Sequence, residues 1–431
     1  MSIMRFAYTL LLYALLPRAL LHLWIRSRRQ PQYREHIAER FGRYTVPVAR
    51  PLIWVHAVSV GETRAAQPLI TALRRQYPAH RILLTHMTPT GRATPVNLFG
   101  DDILRCYLPY DFPFAAKRFL AYFNPAFGVL LETEIWPNLI RVSRERGVPI
   151  FLIAARLSEK SFRNYFRFRS FAAEVLNNLA GIGAQSAADA GRLKALGGTA
   201  VNVTGSLKFD IAPPLEQLAQ GDQWKREWRF RPILLCASTR EGEEALLLDA
   251  LANLNVETVL IVIVPRHPQR FDEVARLIEG HGLNYQRRSA NQPIAEHTRV
   301  LLGDTMGEMF AYYAACDVAI IGGSLLPFGA QNLIEACAVG RPVIVGPHTY
   351  NFAEATALAI DAGAAIKVDD VSGAVSAARE LLVDRVRAEE MGHRGLEFAR
   401  AHRGATERSL ALIKHGIASA ADARDTRRKR A

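Results

Sequence analysis

Cysteine is scarce in this sequence, which has four in 431 residues: Cys106, Cys236, Cys316 and Cys337. They form no C-x-x-C pair, so the pattern argues against a zinc site and a disulfide framework and favours a reducing compartment. Two nucleotide-binding motifs, G-x-G-x-x-G and G-x-x-x-x-G-K-[ST], are missing as well. Because these motifs bind dinucleotides and the phosphates of ATP, we expect neither a nicotinamide or flavin cofactor nor a P-loop ATPase.

Acidic residues are also in deficit, with 41 against 54 lysines and arginines, and the formal net charge is +13. This excess indicates an anionic partner, which is a nucleic acid, a membrane surface or a phosphorylated substrate. The arginines are scattered along the chain instead of forming one basic run. That distribution fits a nucleic-acid partner poorly, so we expect none.

A long apolar run lies at the amino terminus, where residues 6–25 read FAYTLLLYALLPRALLHLWI. It has the length needed to cross a bilayer, although Pro17, Arg18 and His22 interrupt it. No small-x-small cleavage site follows, which argues against a signal peptide. Six arginines follow the run and only Arg5 precedes it, so the positive-inside rule places the rest of the chain in the cytoplasm. A spanning helix and a helix that lies on the membrane surface both remain open.

From residue 51 onward, short runs rich in Val, Ile and Leu alternate with helical patterns, which is typical of parallel sheets covered by helices on both faces. The alternation breaks at FDIAPPLEQLAQGDQWKREWRFRP, which reads as a linker because it contains Pro-Pro and many charges. The chain is also too long for a single core. We therefore predict an α/β protein in which two Rossmann-like domains face each other across a cleft, behind an N-terminal anchor helix.

The predicted strands and boundaries follow from this alternation. The strands of the first domain are 52–58, 81–87, 103–109, 126–132, 150–155, 181–185 and 201–205, and those of the second are 233–238, 258–264, 299–304, 318–323 and 342–346. The predicted segments are an anchor with a basic juxtamembrane segment (1–45), a first domain (46–210), a linker (211–230), a second domain (231–420) and a disordered basic tail (421–431).

Charged residues stand at strand ends of the first domain, and α/β proteins bind ligands at this carboxyl edge. The first strand is followed by Gly61, which would allow a tight turn, and by Glu62, which would project from the edge. Another strand ends in LLETEIWPNLI, where we favour Glu132 over Glu134 because Glu132 is the last strand residue. Lys208 follows the last strand, in TGSLKFD. Two carboxylates and a cation suit acid–base chemistry, and the absence of histidine or aspartate at ligand spacing predicts no metal.

These residues also have structural interpretations. Ser59-x-x-Glu62 has the spacing of a capping box, in which the two side chains satisfy free amides at a helix start. Lys208 also fits an ordinary surface lysine.

The second domain has three strand-end segments that suit a nucleotide. VPRHP ends a strand with Arg266, whose guanidinium group can donate two hydrogen bonds to a phosphate. A helix is expected to begin near Gly307, and another near Asn332, and helix amino termini attract phosphate. Glu335, one turn into the second helix, can accept hydrogen bonds from ribose hydroxyls, although Asn332 and Glu335 also fit a helix cap.

The stretch SFRNYFRFRSF (161–171) interleaves aromatic residues with Arg163, Arg167 and Arg169. Platforms for single-stranded nucleic acid and helices on anionic membranes share this pattern. Because an apolar run stands at the amino terminus, we favour membrane or acceptor contact. An amphipathic helix that covers its own domain remains the alternative.

Six motifs, in order behind an N-terminal anchor, resemble those of the 3-deoxy-D-manno-octulosonic acid (Kdo) transferases of lipid A biosynthesis: WVHAVSVGE, MTPTGRA, LLETEIWPNLI, TGSLKFD, VPRHP and the G-x-Q-N-x-x-E helix start. The resemblance covers nearly the whole chain except the basic tail. It implies the two-domain glycosyltransferase B fold. It also implies transfer of Kdo, with inversion, from CMP-Kdo to a tetraacylated, bis-phosphorylated glucosamine disaccharide (lipid IVA), an acceptor that is a lipid A precursor, at the cytoplasmic face of the cell inner membrane.

The same resemblance assigns roles to residues. It implies that Glu62 is the general base and that Glu132 and Lys208 support the transition state. The segments that it implies for CMP binding are Pro265 and Arg266, then Gly307, Glu308 and Met309, then Asn332, Leu333, Ile334 and Glu335.

The chain departs from the family at one motif. Many members read G-G-H-N where this sequence has Gly329-Ala330-Gln331-Asn332. Two other functions are kept as alternatives, another nucleotide-sugar glycosyltransferase or epimerase of the same fold, and a membrane-anchored binding protein without activity. The apolar run argues against an epimerase, which needs no anchor, and the set Glu62, Glu132 and Lys208 argues against an inactive protein.

Overall fold

A computed structural model describes residues 3–48, 50–228, 231–252 and 259–428. The chain divides into two compact units. We call Met1–Asp210 together with Arg403–Ala431 the N-terminal unit, and Ile211–His402 the C-terminal unit. Each contains a seven-stranded sheet with α-helices between most consecutive strands, so the prediction of two doubly wound α/β domains is confirmed.

The secondary structure of the N-terminal unit begins with a long helix. Its strands are β1 (Leu52–His56), β2 (Arg81–His86), β3 (Leu104–Tyr107), β4 (Phe127–Leu131), β5 (Ile150–Ala155), β6 (Gly181–Ala184) and β7 (Val201–Val203). Its helices are α1 (Ile3–Arg29), α2 (Val60–Ala65), α3 (Gln67–Gln76), α4 (Pro89–Phe99), α5 (Pro113–Phe123), α6 (Pro137–Glu145), α7 (Glu159–Phe166), α8 (Arg169–Leu176), α9 (Ala187–Ala195) and, at the end of the chain, α18 (Ala405–Arg428).

The C-terminal unit repeats the alternation. Its strands are β8 (Ile233–Thr239), β9 (Leu260–Pro265), β10 (Tyr285–Arg287), β11 (Val300–Leu302), β12 (Val318–Ile321), β13 (Val343–Val345) and β14 (Ala365–Lys367). Its helices are α10 (Leu215–Glu227), α11 (Glu243–Ala252), α12 (Phe271–Gly280), α13 (Met309–Ala315), α14 (Leu333–Ala338), α15 (Ala353–Asp361), α16 (Val371–Val383) and α17 (Arg385–Ala401).

All strand pairings in both sheets are parallel. The strand orders are β3-β2-β1-β4-β5-β6-β7 and β10-β11-β9-β8-β12-β13-β14. The chain reverses its direction of travel across the first sheet between β1 and β4, and across the second between β8 and β12. In open α/β sheets, ligands bind outside the carboxyl ends of the strands at such a switch point.

Each of the twelve predicted strand segments contains a strand, and the two strands that sequence reasoning missed are β10 and β14. Both have three residues and lie at a sheet edge. Neither is fully buried, in contrast to β1 and β5, whose residues are buried throughout. An edge strand is covered less than a central one, so it lacks the continuous apolar run that revealed the others.

The segment predicted as a linker is instead part of the C-terminal unit. Residues 215–227 form α10, which packs on α13. Gly221 permits this close approach, because a Cβ atom there would lie 2.4 Å from the carbonyl oxygen of Ala311. Trp224 stacks on Trp228 and contacts the ring of Tyr312. Pro-Pro precedes this helix, and the tryptophans within the charged segment supply its contacts with the unit.

The predicted second domain, 231–420, is wrong at its carboxyl end, because α18 belongs to the N-terminal unit. Asp210 fixes the start of α18 there, since its carboxylate accepts the backbone N–H groups of Gly404, Ala405 and Thr406. Ala405 and Ile413 are fully buried in the same cluster as strand residues of the first sheet. The sequence shows the apolar stripe of this helix but not which sheet the stripe covers.

The predicted disordered tail is also wrong up to Arg428. Helix α18 continues to that residue, and residues 429–431 lie outside the described part of the chain. The stretch ASAADARD supplies alanines, which have the highest helix propensity. The basic segment near the carboxyl terminus is therefore part of helix α18 as far as Arg428.

The predicted basic juxtamembrane segment likewise ends in the core. Arg40 is 1% exposed, lies over the ring of Tyr107 and donates to the carbonyl oxygen of Met87. Glu39, also buried, accepts two hydrogen bonds from the Arg92 guanidinium and one from the Tyr107 backbone. These residues join the start of the chain to the N-terminal unit.

Helix α18 generates a test of the assignment of residues 403–428. Ile413→Ala should lower the stability of the N-terminal unit by about 2–4 kcal/mol, because it leaves a cavity against the sheet. Lys414→Ala, one residue along on the exposed face, should change it by less than about 0.5 kcal/mol. Hydrogen exchange in peptides of β5 and β6 measures the effect. Equal protection in the two variants would contradict the packing.

Candidate active site

The candidate site of the N-terminal unit lies at the switch point of its sheet. Glu62 follows β1 and Glu132 follows β4, the two strands that flank this point. Together with Lys208 they line an open recess, which Leu131 and Ala154 also line. The parallel sheet thus brings together three residues separated by up to 146 positions.

Glu62 is held in the first turn of α2. Its backbone N–H points to the Ser59 hydroxyl at 3.5 Å, and its carboxylate accepts the backbone N–H of Val58 at 2.8 Å. The Ser59 hydroxyl also donates to the other carboxylate oxygen, at 3.3 Å. The capping interpretation of Ser59 and Glu62 is therefore confirmed. The same contacts fix the carboxylate in one orientation.

The tight turn expected at Gly61 is wrong. Gly61 is a helical residue of α2 and has no positive φ. A Cβ atom there would meet only the Ser59 hydroxyl, at an ordinary 3.9 Å. Because the helix begins directly after the strand, the chain needs no glycine conformation at this point.

The electrostatic environment makes Glu62 a weak acid. Its pKa is raised to about 7, mainly by burial and to a smaller extent by the nearby carboxylates of Glu132 and Glu134. The hydrogen bonds from Val58 and Ser59 oppose this shift because they stabilise the charged form. A carboxylate that titrates near 7 can accept a proton effectively at neutral pH.

Glu132 forms an ion pair with Lys208, whose Nζ lies 3.3 Å from the carboxylate. Its backbone has φ of +53°, a left-handed conformation that residues other than glycine rarely adopt. Ala154, on the neighbouring strand, has φ of +51° beside a shift in the pairing of β5 with β6. Glu132 lies just beyond β4, which ends at Leu131, so this turn and not the strand pleat sets its position.

Sequence reasoning missed a histidine beside these carboxylates. His56, the last residue of β1, is fully buried, and its Nε2 lies 3.4 Å from the carboxylate of Glu134. The indole N–H of Trp136 donates to the same carboxylate at 2.9 Å. The sequence did contain a signal for this residue, because His56 is a polar residue in an otherwise apolar strand. Glu134 is therefore held by His56 and Trp136, close enough to Glu62 to influence its pKa.

In the C-terminal unit, contacts join two of the predicted donor segments. Arg266 follows β9, and its Nε donates to the side chain of Gln331 at 3.2 Å. Asn332 caps α14 by accepting the N–H of Ile334, and its amide donates to Glu335 at 3.1 Å. The capping interpretation of Asn332 is thus confirmed. The arrangement places Arg266 and the start of α14 side by side.

Two further predicted segments lie around this region. Pro265 is the last residue of β9, and Met309 begins α13, two residues later than expected. The Met309 sulfur lies 3.8 Å from the hydroxyl of Ser238, at the end of β8. Glu308 pairs with Arg288 at 3.1 Å. Across the residues that the structure describes, no group of His, Cys, Asp and Glu side chains is arranged to hold a metal ion.

The changed motif keeps the backbone conformation that glycine would adopt. Ala330 has φ of +67°, and its N–H donates to the carbonyl oxygen of Gly323 at 2.6 Å. Gln331, which replaces the family's histidine, donates its backbone N–H to Gly322 and accepts from Arg266. The loop therefore holds its shape against the steric preference of alanine.

A buried glutamate that sequence reasoning missed organises the same loop. Glu243 is fully buried in the first turn of α11, and its carboxylate accepts the backbone N–H groups of Gly323, Leu325 and Arg240. Burial raises its pKa, while these hydrogen bonds oppose the shift. The sequence does not distinguish it from the neighbouring Glu244, because both are acidic residues in the first turn of a helix.

The predicted arginine–aromatic stretch lies on the surface of the N-terminal unit. Arg163, Arg167 and Arg169 are exposed on α7, α8 and the turn between them. Phe162 and Phe171 pack against the core, whereas Tyr165, Phe166 and Phe168 are about half exposed. The stretch therefore covers its own domain and also presents an aromatic, basic surface.

Comparison with known proteins identifies the family. The family described as "3-Deoxy-D-manno-octulosonic-acid transferase (kdotransferase)" matches residues 35–211, and "Glycosyl transferases group 1" matches residues 245–398. The chain is 47% identical, over 427 residues, to 3-deoxy-D-manno-octulosonic acid transferase of Bordetella pertussis, with 95% of this chain and 99% of that protein covered. The corresponding protein of Haemophilus influenzae is 36% identical over 418 residues, with 95% and 98% covered. The chain belongs to the 3-deoxy-D-manno-octulosonic acid transferase family.

The transferase is therefore an enzyme of the glycosyltransferase class, which sets aside the inactive binding protein and the epimerase. Among solved structures, UDP-GlcNAc 2-epimerase from Neisseria meningitidis matches with a TM-score of 0.57 at 15% identity, covering 85% of this chain and all of that one. At this identity the likeness shows the fold alone. It supports the glycosyltransferase B type of domain pair.

The environment of Glu62 predicts a titration near neutral pH. The folded transferase should release one proton with a midpoint of about 7 that Glu62→Gln lacks, because burial raises the pKa. Since the folded state holds this proton longer than the unfolded state, the stability that Glu62 contributes should fall as pH rises from 4.5 to about 7.

Difference titration of the wild-type protein and the variant between pH 5 and 8 measures this proton. Glu241→Gln is the control, because the pKa of the exposed Glu241 carboxyl lies below its ordinary value. A difference curve for Glu62→Gln that is flat above pH 5 would contradict the predicted environment.

Proposed function

We propose that this transferase moves Kdo from CMP-Kdo to the lipid A precursor lipid IVA at the cytoplasmic face of the inner membrane, with inversion at the sugar. Membership in the Kdo transferase family supports the assignment of Kdo as the transferred sugar. The observation that carries the mechanism is the environment of Glu62, a carboxylate with a pKa of about 7 in the same recess as Glu132 and Lys208. We therefore assign the reaction to this recess.

In the proposed reaction, Glu62 accepts the proton of the acceptor hydroxyl. The freed oxygen forms a bond to the anomeric carbon of Kdo, while the bond from that carbon to the phosphate oxygen breaks and its electron pair leaves with CMP. A single displacement from the opposite side inverts the configuration. The contacts from Val58 and Ser59 hold the carboxylate in place, so little reorganisation precedes proton transfer.

Glu132 and Lys208 form the second part of the proposed catalytic set. Their ion pair, at 3.3 Å, fixes a positive and a negative charge at the edge where the sugar carbon and the leaving oxygen gain opposite charges. Charges held in place before the reaction stabilise the transition state without a cost of reorientation. The left-handed backbone of Glu132 supports a functional role, because such strain is retained mainly at sites that need it.

The donor nucleotide is assigned to the C-terminal unit. Arg266 supplies a cation for the phosphate of CMP, and Gln331 orients its guanidinium. Asn332 and Glu335 stand next to Arg266 and offer polar groups for the ribose or the base. The segments Pro265 and Gly307 to Met309, with Leu333 and Ile334, complete the proposed subsite.

The membrane location rests on the amino-terminal helix. Residues 3–28 form a helix long and apolar enough to span a bilayer, with Pro17 inside it. Arginines follow this helix, and Arg163, Arg167 and Arg169 lie on the same unit. An acceptor that carries acyl chains and phosphates would meet apolar and basic groups at such a surface.

A crossed pair of variants separates the base from the cap. Glu62→Gln keeps an acceptor for the Val58 N–H but cannot take a proton, so transfer should fall by about 10²–10⁴-fold while CMP binding persists. Ser59→Ala removes the cap at a cost of about 1 kcal/mol but leaves the base, so transfer should stay within a few-fold of wild type. Mass spectrometry of lipid IVA incubated with CMP-Kdo measures transfer and also counts the added sugars.

The pH dependence provides a second readout of the same variants. Because Glu62 must be ionised, the wild-type rate should rise with pH up to about 7 and then level off. Normal turnover of Glu62→Gln would assign Glu62 a capping role only. Loss of transfer in both variants would mean that disruption of the helix start, and not loss of the base, lowers the activity.

The donor assignment predicts weaker CMP binding in Arg266→Ala and Glu335→Ala. A lost charged hydrogen bond costs on the order of 1.5–3 kcal/mol, which is about 10- to 150-fold in affinity. Arg276→Ala, on the exposed surface of α12, is the matched control and should bind CMP normally. Calorimetry measures the three affinities. Unchanged affinity in Arg266→Ala would place the nucleotide elsewhere.

A further inference from the structure

The partly shielded side chains of helix α1 lie on one side of the helix. They recur with helical spacing and include Arg5, Thr9, Leu12, Leu16, Ala19, Leu23 and Ser27. Contacts of Arg5, Tyr8 and Thr9 show that this side meets the N-terminal unit in the first half of the helix. A helix that crosses a membrane from its amino terminus would place these residues far from the unit.

The amino-terminal half of α1 is bound through polar side chains. Arg5 pairs with Glu174 at 3.1 Å, and the Tyr8 hydroxyl donates to the buried carboxylate of Asp111 at 2.9 Å. The amide of Asn138 donates to the Thr9 hydroxyl at 3.2 Å. These groups would lose their partners inside hydrocarbon, where each unsatisfied polar group costs several kcal/mol.

The Asp111 contact is deeper than a surface pairing. Its carboxylate also accepts the backbone N–H groups of Asn138 and Leu139, in the first turn of α6. Tyr8 therefore completes the hydrogen bonding of a carboxylate that is 3% exposed. Loss of this hydroxyl would leave a buried acceptor with one fewer donor.

The carboxyl-terminal end of α1 packs on the short segment that follows it. Ser27 is 3% exposed, and its hydroxyl accepts a hydrogen bond from Arg34 at 2.8 Å. Five residues later the chain enters the core with Glu39 and Arg40. Arg5 and Ser27 are about 33 Å apart along a helix, more than the thickness of the hydrocarbon core. The start of α1 contacts the N-terminal unit, and its end leads within about ten residues into the core of that unit, so a bilayer does not lie between the two ends.

The outward side of α1 is apolar and basic. Its exposed side chains include Phe6, Leu10, Leu11, Leu21, Trp24 and Ile25. The half-exposed Tyr165, Phe166 and Phe168 lie nearby, because Phe171 of the adjoining α8 contacts the Tyr8 ring at 5.9 Å. Exposed arginines flank both groups, and Arg28 lies over the ring of Trp24. Apolar side chains bordered by arginines match the acyl and anionic headgroup layers of one leaflet.

We propose that α1 does not cross the bilayer but lies in the plane of the inner leaflet, docked along the N-terminal unit, and that its outward face and the aromatic turn 165–168 together form one lipid-inserting surface. The inference rests on the membrane location in the proposed function. It is tested without any measurement of transfer, so the two can fail independently.

The first test determines on which side of the membrane α1 begins. Ile3→Cys should react with a membrane-impermeant maleimide in inside-out vesicles and not in spheroplasts, as should the control Val383→Cys in the C-terminal unit. The four native cysteines are buried and should stay unlabelled. Labelling of the Ile3→Cys variant from the periplasmic side, or from neither side, would overturn the proposal.

The second test asks whether α1 stays docked in membranes. Arg5→Cys with Glu174→Cys should be joined within one chain by a short bis-maleimide, whereas Phe6→Cys with Glu174→Cys, whose first residue faces outward, should be joined poorly. Equal yields would contradict docking. A cross-link between two chains would mean that a second copy, not lipid, covers this face.

The third test concerns lipid. Full-length protein should float with vesicles that contain phosphatidylglycerol, and Phe166→Ser with Phe168→Ser should weaken this on the order of tenfold, since apolar burial is lost. Val383→Ser with Val386→Ser, at positions that are even more exposed in the C-terminal unit, is the control and should float as wild type does. Flotation of the Phe166/Phe168 variant equal to that of wild type, or no flotation of the parent protein, would overturn the proposed surface.

Discussion

The parallel pairing of every strand is the constraint on which the remaining structure depends. Parallel strands end at the same edge, so residues distant in sequence meet wherever two strands flank a switch point. Glu62 and Glu132 are brought together in this way, and Lys208 joins them from the loop after β7. Buried carboxylates near one another disfavour ionisation, and the raised pKa of Glu62 follows directly.

The same edges carry the backbone strain of both units. Glu132 and Ala154 in the first unit and Ser238 in the second have left-handed φ angles. Shifts in strand register accompany Ala154 and Ser238, in the pairings of β5 with β6 and of β8 with β9. Such conformations cost on the order of 1–3 kcal/mol each and persist where the surrounding structure holds them. The sheets therefore supply rigid supports on which strained strand ends direct side chains outward.

The amino-terminal helix combines an apolar composition with polar contacts to its own unit. Its length and composition suit a membrane span, yet Arg5, Tyr8 and Thr9 contact side chains of the unit that follows it. Tyr8 binds Asp111, and Asp111 in turn binds the first turn of α6, which follows the loop that carries Glu132 and Glu134. Hydrogen bonds thus join α1 to the start of α6, the helix that directly follows this loop.

The sequence by itself determined the alternation of strands and helices, the division into two α/β domains and the family, because apolar periodicity and ordered motifs are local properties of the chain. It also identified Glu62, Glu132 and Lys208 as candidates, since charged residues after buried strands are visible without coordinates. Only the tertiary structure decided that α18 covers the first sheet, that α10 belongs to the second unit and that Arg40 is buried. It also decided that His56 lies against Glu134 and that Glu243 holds the loop after β12. The reason is physical: a periodic pattern shows that a face must be buried, but the identity of its partner depends on contacts between residues far apart in the chain.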